Sequence, residues 1–332
     1  MNEVDDRAVE KEAVQNEASE RTRRERNRIY SYSTLRVPCN MVTTRDYFEQ
    51  EYASRRKRYK PEKDVSFQKA RSATGISIWR YLKSRFSKEE KAKIDAEIKS
   101  SREQMQKDVE AGNRYEWERC ERFNQELERK IDSRKEALTK GDSREIELYF
   151  DYVIQSDDYS VDNEVAYNLD YRIGFNEVTK RLVIDYRLPS CNEISDIKEW
   201  KVDKFLNVIP KSMPKKEYLK LYEQIIMDIT IRVISLVFGS DDMDVISEIV
   251  FNGSCVYDDM DSPVVILSVL VKRKAIDLPR IRKMDFDSKA TMSRFSEIRY
   301  LGDIKSDAPP TALLDAPPLK LITPIESNLS IV

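Results

Sequence analysis

The stretch from Ser87 to Gly141 limits the folds open to this chain more than any other. It contains no proline, it begins with the capping-box form Ser87-Lys-Glu-Glu90, and Gly141 supplies a helix stop. A helix of this length would measure about 75 Å. Its apolar residues form a narrow stripe at spacings of three and four that is typical of a coiled coil: Ile94, Ile98, Met105, Val109, Trp117, Cys120, Phe123, Leu127, Ile131 and Leu138.

Two alternatives follow from this stretch. Ala111-Gly112-Asn113 lies in its middle, so the sequence allows either one continuous rod or a helical hairpin. In both forms the stripe needs a partner surface. We expect either a homo-oligomer formed through the 88–140 helix or packing on the C-terminal part of the same chain.

Composition excludes several kinds of chemistry. The 332 residues include no histidine, which removes Ser-His and Cys-His nucleophile pairs and histidine metal ligands. The four cysteines are scattered, so neither a zinc site nor a disulfide framework is indicated: Cys39, Cys120, Cys191 and Cys255. With no N-terminal apolar segment and no run long enough to span a membrane, we expect a cytoplasmic protein with reduced thiols.

Charge is distributed unevenly along the chain. Residues 1–29 carry a net charge of −1, residues 30–86 carry +8, and the remainder carries −9, for a total of −2. The densest basic run consists of Arg55, Arg56, Lys57, Arg58, Tyr59 and Lys60. Cations neutralise phosphates and aromatic faces stack on bases, so this run is a candidate nucleic-acid-binding site. The alternative interpretation is a solvated basic face.

The C-terminal half alternates helical and strand patterns. A short helix precedes two strands at about 165–173 and 182–184, a third strand covers about 197–202, and a long apolar helix runs from about 215 to 238. Two further strands follow at 247–253 and 264–271, then a helix at about 288–298. The predicted domains are a charged and basic-aromatic arm (1–86), a long helix or hairpin (87–141), an α+β domain (142–305) and a proline-containing strap (306–332).

This order of elements resembles the core of the PD-(D/E)xK restriction-endonuclease fold. The positions matching its motif are Asp185 on the second strand and Glu199 with Lys201 on the third, with Glu145 or Glu147 as a further acid. The resemblance implies that Asp185 and Glu199 bind Mg²⁺ and that Lys201 completes a nuclease site. Asp185 is not preceded by proline, so the match departs from the family pattern. The alternatives are a degenerate nuclease-like fold and an unrelated α+β interaction domain.

Residues 143–332 also resemble a region of bacterial restriction-endonuclease-like proteins, in some of which it precedes an Mrr-type nuclease domain. The segments that carry this resemblance are Leu182-Val-Ile-Asp-Tyr-Arg-Leu-Pro189, Ile231-Arg-Val-Ile-Ser-Leu-Val-Phe238, Val250-Phe-Asn-Gly253 and the closing Leu-Asp-Ala-Pro-Pro. These motifs are structural. They imply an adaptor or sensor in genome defence.

Three function classes follow. The leading hypothesis is a non-catalytic, DNA-associated or partner-binding component of a bacterial phage-defence system. The second is a Mg-dependent nuclease that uses Asp185, Glu199 and Lys201. The third is a coiled-coil scaffold. All three hypotheses predict an α+β fold in which a long helical region precedes a domain with a central sheet.

Overall fold

The computed structural model describes residues 3–34, 41–84, 87–157, 170–256, 263–283, 285–300 and 323–326. It confirms a mixed α and β protein with a long helix and a mixed sheet. The helices are α1 (Glu3–Thr34), α2 (Thr44–Arg55), α3 (Phe67–Ala73), α4 (Ile78–Ser84), α5 (Lys88–Lys140), α6 (Ser143–Gln155), α7 (Lys215–Ser240), α8 (Leu278–Arg282) and α9 (Ser288–Met292). The strands are β1 (Tyr171–Asn176), β2 (Arg181–Arg187), β3 (Ile197–Val202), β4 (Val208–Ser212), β5 (Glu248–Cys255), β6 (Val264–Lys272) and β7 (Glu297–Tyr300).

The chain divides into two compact units. The first contains residues 1–47 and 136–332, and the second contains residues 48–135. The sequence-based domain division differs from this, because it assigns residues 1–47 to an N-terminal arm. The predicted strap at 306–332 lies outside the described residues except for 323–326.

The first unit is built on a five-stranded sheet with the order β1-β2-β5-β6-β7. Only the β2–β5 pair is parallel, and helix α7 makes the crossover between these two strands. From Ile225 to Phe238 every residue of α7 is buried. This burial agrees with the apolar character of the helix on nearly every side, which predicted a central position.

A separate two-stranded sheet is formed by β3 and β4. Helix α1 packs on it, and Thr22 binds both main-chain groups of Trp200: the amide donates to Thr22 Oγ1 at 2.9 Å, and this hydroxyl donates to the Trp200 carbonyl at 3.3 Å. The guanidinium of Arg21 lies 5.0 Å from the Trp200 ring centroid. The charged N-terminal segment is therefore a helix with a defined packing surface.

The second unit resolves the rod-or-hairpin alternative, because α5 is one continuous helix of 53 residues. Ile94 and Ile98 on the α5 stripe are buried in a small core with Val65, Ala70 and Ile76. Leu127 and Ile131 are also buried, whereas Trp117 is exposed. Much of the stripe is thus covered within one chain, and oligomerisation through the 88–140 helix stays a prediction.

The sequence patterns missed one strand, and one predicted helix was too long. The segment around Pro210 forms strand β4, in which Pro210 lies opposite Trp200. A strand in a two-stranded sheet tolerates proline because its outer edge needs no N–H donor. The helix predicted at 288–298 ends at Met292, and β7 occupies Glu297–Tyr300 at the edge of the main sheet.

Candidate functional site

The basic run lies where α2 ends and an extended segment begins. Helix α2 stops at Arg55, and no helix or strand is formed again before Phe67. Pro61 in this segment cannot donate a backbone hydrogen bond and restricts the residue before it to extended conformations. The segment therefore needs side-chain partners for its main chain.

Helix α5 supplies these partners with amide side chains. Lys57 N donates to Asn124 Oδ1 at 3.0 Å, and Asn124 Nδ2 donates back to the Lys57 carbonyl at 3.1 Å. Glu62 N donates to Asn113 Oδ1 at 2.9 Å, and Asn113 Nδ2 donates to the Glu62 carbonyl at 3.2 Å. Each asparagine satisfies both backbone groups of one residue, as a neighbouring strand would.

Further along, Val65 N donates to Gln106 Oε1 at 3.0 Å and Arg102 Nε donates to the Val65 carbonyl at 3.0 Å. The spacings agree with simple geometry. Residues 57 and 62 are separated by about 17 Å in an extended chain, and positions 124 and 113 by about 16 Å along a helix. The segment and α5 thus run antiparallel in register over these contacts.

The clamped backbone divides the basic side chains between two directions, because successive residues of an extended chain point to opposite sides. Lys57 is exposed, but its Nζ lies 4.1 Å from the centroid of the Phe123 ring on α5, and Tyr59 is half-buried. Arg56, Arg58 and Lys60 are exposed at alternate positions, and Arg58 and Lys60 lie about 6.6 Å apart in an extended chain. We call these three residues the cation strip.

A groove of about 570 Å³ lies between this segment and α5. Arg58, Tyr59 and Lys60 line one side, while Glu62, Asp108 and Glu116 contribute acids. The acids disfavour an anion inside the groove. A polyanion is therefore expected to contact the exposed ends of Arg56, Arg58 and Lys60 outside the groove. The whole unit, residues 48–135, has 24 lysines and arginines against 17 acids, a net charge of +7.

Replacing Asn124 with alanine tests the clamp. The substitution leaves both main-chain groups of Lys57 without their partner, so we expect amide exchange at Lys57 to accelerate about tenfold, equivalent to about 1.4 kcal/mol. Hydrogen exchange followed by NMR or mass spectrometry measures this. Gln125→Ala is the matched control, because Gln125 is exposed and its side chain bonds only Glu121 one turn away among the described contacts. Equal exchange in both variants would rule out the clamp.

The predicted nuclease residues occupy two different sheets. Asp185 is on β2 in the five-stranded sheet, where it is buried and its Oδ1 accepts a hydrogen bond from Asn252 Nδ2 at 2.8 Å. Glu199 and Lys201 are on β3 in the two-stranded sheet.

Glu199 belongs to a surface ion cluster. Its Oε1 lies 2.9 Å from Lys211 Nζ and 3.2 Å from Lys201 Nζ. The hydrogen bond from Lys211 is the main reason that the pKa of Glu199 lies below its ordinary value. Both lysines contact this one carboxylate, so the three side chains together carry a net charge of +1, which disfavours binding of a metal cation here.

Other candidate groups are also engaged in structural contacts. Glu147 on α6 accepts a hydrogen bond from Phe175 N on β1 at 2.8 Å, and Glu145 lies in the first turn of α6, capped by Asp142. Within the described ranges, no group of three or more acidic or cysteine side chains is close enough together to hold a metal ion. Asp185 and Glu199 lie in different sheets, and the catalytic assignment stays a prediction.

The buried cysteines are poor nucleophiles. Burial raises the pKa of Cys191 to about 11 and that of Cys255 to about 12, so both are thiols at neutral pH. No helix in the described part of the chain has the length and apolar character needed to cross a bilayer.

Sequence reasoning missed two features. The first is the pair of asparagines that hold the basic segment, and the second is the buried partner of Arg232, which lies on α7. Arg232 donates to both carboxylate oxygens of Asp157, at 2.6 and 2.8 Å. A signal existed, because a single arginine in an apolar helix needs a buried acid.

No protein-family model, curated protein or solved structure matches this chain.

Proposed function

We propose that this chain is a non-catalytic, nucleic-acid-associated component of a bacterial restriction-type defence system, and that it contacts the phosphate backbone through its cation strip. The observation that carries the proposal is the backbone clamped at Lys57 and Glu62, with Arg58 and Lys60 between the two clamps. Arg56 precedes the first clamp, and its N–H donates to the Tyr52 carbonyl at the end of α2 at 2.9 Å. A fixed backbone presents the three charges at constant spacing without the entropy loss of ordering a mobile arm. The defence context rests on the resemblance of residues 143–332.

The charge distribution supports the same role. Residues 48–135 carry +7, whereas the rest of the chain carries −9, so a polyanion is attracted to one unit and repelled by the other. In the described part of the chain, Arg58 and Lys60 form no ion pair, and Arg56 lies 5.8 Å from the Tyr52 ring. Binding of this kind follows the backbone and tolerates sequence changes.

Neutralising the strip is the direct test. In Arg56→Gln/Arg58→Gln/Lys60→Gln we expect affinity for single- and double-stranded DNA to fall at least about tenfold. The salt dependence should also weaken, by about two to three in the slope of log K against log salt, because about three phosphate contacts are lost. Fluorescence anisotropy of labelled oligonucleotides from low to physiological salt measures both quantities.

The matched control removes three exposed charges from the other unit: Lys215→Gln/Lys216→Gln/Lys220→Gln. It changes the net charge equally and should leave the salt slope unchanged. Equal loss in both triple variants would show a general charge effect and overturn the strip. Unchanged binding in the strip variant would also overturn it.

A further inference from the structure

One face of the five-stranded sheet carries a polar row. One residue from each strand lies opposite its neighbour across the order β1-β2-β5-β6-β7: Arg172, Asp185, Asn252, Ser268 and Arg299. The neighbouring row, which points to the other face, is entirely apolar: Ile173, Ile184, Phe251, Val269 and Ile298. A polar row in a sheet centre is costly unless each group has a hydrogen-bond partner.

The three central residues are connected in a fixed order. Asp185 is 6%, Asn252 1% and Ser268 0% exposed, so their hydrogen bonds are made inside the protein. The Asp185 carboxylate accepts from Asn252 Nδ2 at 2.8 Å, and Ser268 Oγ donates to Asn252 Oδ1 at 2.6 Å. Because Asp185 fixes the amide orientation, one Asn252 N–H and one Ser268 lone pair remain for a ligand above the sheet.

The chain's own segment 323–326 uses these two groups. Ile325 N donates to Ser268 Oγ at 3.2 Å, and Asn252 Nδ2 donates to the Glu326 carbonyl. At one end, Arg299 donates to the Thr323 carbonyl at 2.8 Å. Three residues of extended chain span about 10 Å, which equals two strand spacings, so the segment crosses β7, β6 and β5 at one residue or two per strand.

Only one side chain of the segment is bound through its charge. The Glu326 carboxylate lies 2.7 Å from a guanidinium nitrogen of Arg181, which also pairs with Glu248. The other contacts involve main-chain groups, which every peptide possesses. Pro324 lacks an N–H and therefore leaves no donor unsatisfied. The site thus selects an extended backbone followed by an acidic residue.

We propose that this polar sheet face is a peptide-binding site for an extended, proline-containing segment ending in an acidic residue. Residues 323–326 are its resident intramolecular ligand, and a partner protein's segment of the same chemistry displaces them. The inference is independent of the cation strip, which lies in the other compact unit. The tethered segment competes with an external peptide for the same site at a millimolar effective concentration. The apparent affinity for the external peptide is therefore reduced by the fraction of chains whose site the tethered segment occupies.

An exchange experiment tests the site. The full chain carrying Ile325→Pro and Glu326→Lys loses the N–H that reaches Ser268 and places a cation beside Arg181, so its own segment should leave the face. A labelled peptide with the sequence of residues 321–328 should bind this variant at least tenfold more tightly than it binds the unaltered chain. Fluorescence anisotropy measures the binding. Equal affinities, or no binding to either chain, would overturn the proposal.

Peptide variants test the recognition. Replacing the glutamate of the peptide with glutamine, or the isoleucine that corresponds to Ile325 with proline, should each weaken binding about tenfold or more. Replacing the asparagine at its end (Asn328 in the chain) should not. If all peptides bind equally, the contacts described above do not select the ligand and the proposal fails.

A second measurement does not depend on the variant that carries Ile325→Pro and Glu326→Lys. In the unaltered chain the Ile325 amide should exchange at least tenfold more slowly than in the free peptide, and Ser268→Ala should abolish this protection. Free exchange at Ile325 in the unaltered chain would overturn the resident-ligand assignment. Thermal unfolding of each variant establishes that the sheet is intact.

Discussion

Arg232→Ala is expected to lower the free energy of unfolding of the first unit by about 3–5 kcal/mol. The Arg232 and Asp157 side chains are 2% and 0% exposed and form a bidentate ion pair. The distance from Arg232 Nε to Asp157 Oδ2 is 2.6 Å, and that from Arg232 Nη2 to Asp157 Oδ1 is 2.8 Å. Truncating the arginine leaves a buried carboxylate without its cation. A typical domain has about 5–15 kcal/mol of stability, so the loss should be visible as a large shift in the unfolding midpoint.

Two further variants show whether the loss of stability in Arg232→Ala comes from the unpaired buried charge. Lys198→Ala removes an ion pair with Glu217 on α7 whose partners are 47% and 49% exposed, and it should cost less than about 1 kcal/mol. Arg232→Met with Asp157→Leu removes both buried charges and should recover most of the loss, because an apolar pair needs no compensating charge. Urea unfolding followed by hydrogen exchange in α7 measures all three. A cost below 1 kcal/mol for Arg232→Ala would contradict the assignment.

The periodic parts of the fold were predictable because their signals are local. Helix α5 was expected from its capping box, its lack of proline and Gly141, and β3 was placed at 197–202 from the sequence. Strands β5 and β6 were also located to within a few residues. These patterns depend on side chains within one element, and the sequence displays such spacings directly.

The strand pairing was not predictable in the same way. The sequence order placed Glu199 next to Asp185 in a family-like sheet, yet β3 pairs with β4 and β2 pairs with β5. Pairing depends on long-range packing, and a buried crossover helix such as α7 brings β5 beside β2. A charged E-x-K triplet carries no information about which sheet contains it.

The functional contacts were hidden for a related reason. Asn124 and Asn113 are polar residues on a charged helix, and nothing local distinguishes them from solvated side chains. Their role appears only when an extended segment more than fifty residues earlier lies alongside α5. The basic run itself was visible in the sequence, but the direction of its side chains was not.

Asp185 separates the structural and catalytic hypotheses through two substitutions. Its Oδ1 accepts from the buried amide of Asn252, so Asp185→Ala should lower the free energy of unfolding by about 1–3 kcal/mol. The same change should remove the protection of the Ile325 amide, because Asn252 loses its orientation. Asp185→Asn retains an acceptor oxygen at this position and should cost less than about 1 kcal/mol with protection preserved.

A metal ligand would behave differently. The carboxylate charge is essential for binding Mg²⁺, so a nuclease that uses Asp185 would lose plasmid nicking equally in the alanine and asparagine variants. Urea unfolding, hydrogen exchange at Ile325 and nicking assays with Mg²⁺ on the same three proteins distinguish the outcomes. Mg-dependent nicking by the unaltered chain that both variants lose would establish catalysis. A large stability difference between alanine and asparagine places Asp185 in the polar row that orients Asn252 toward the peptide.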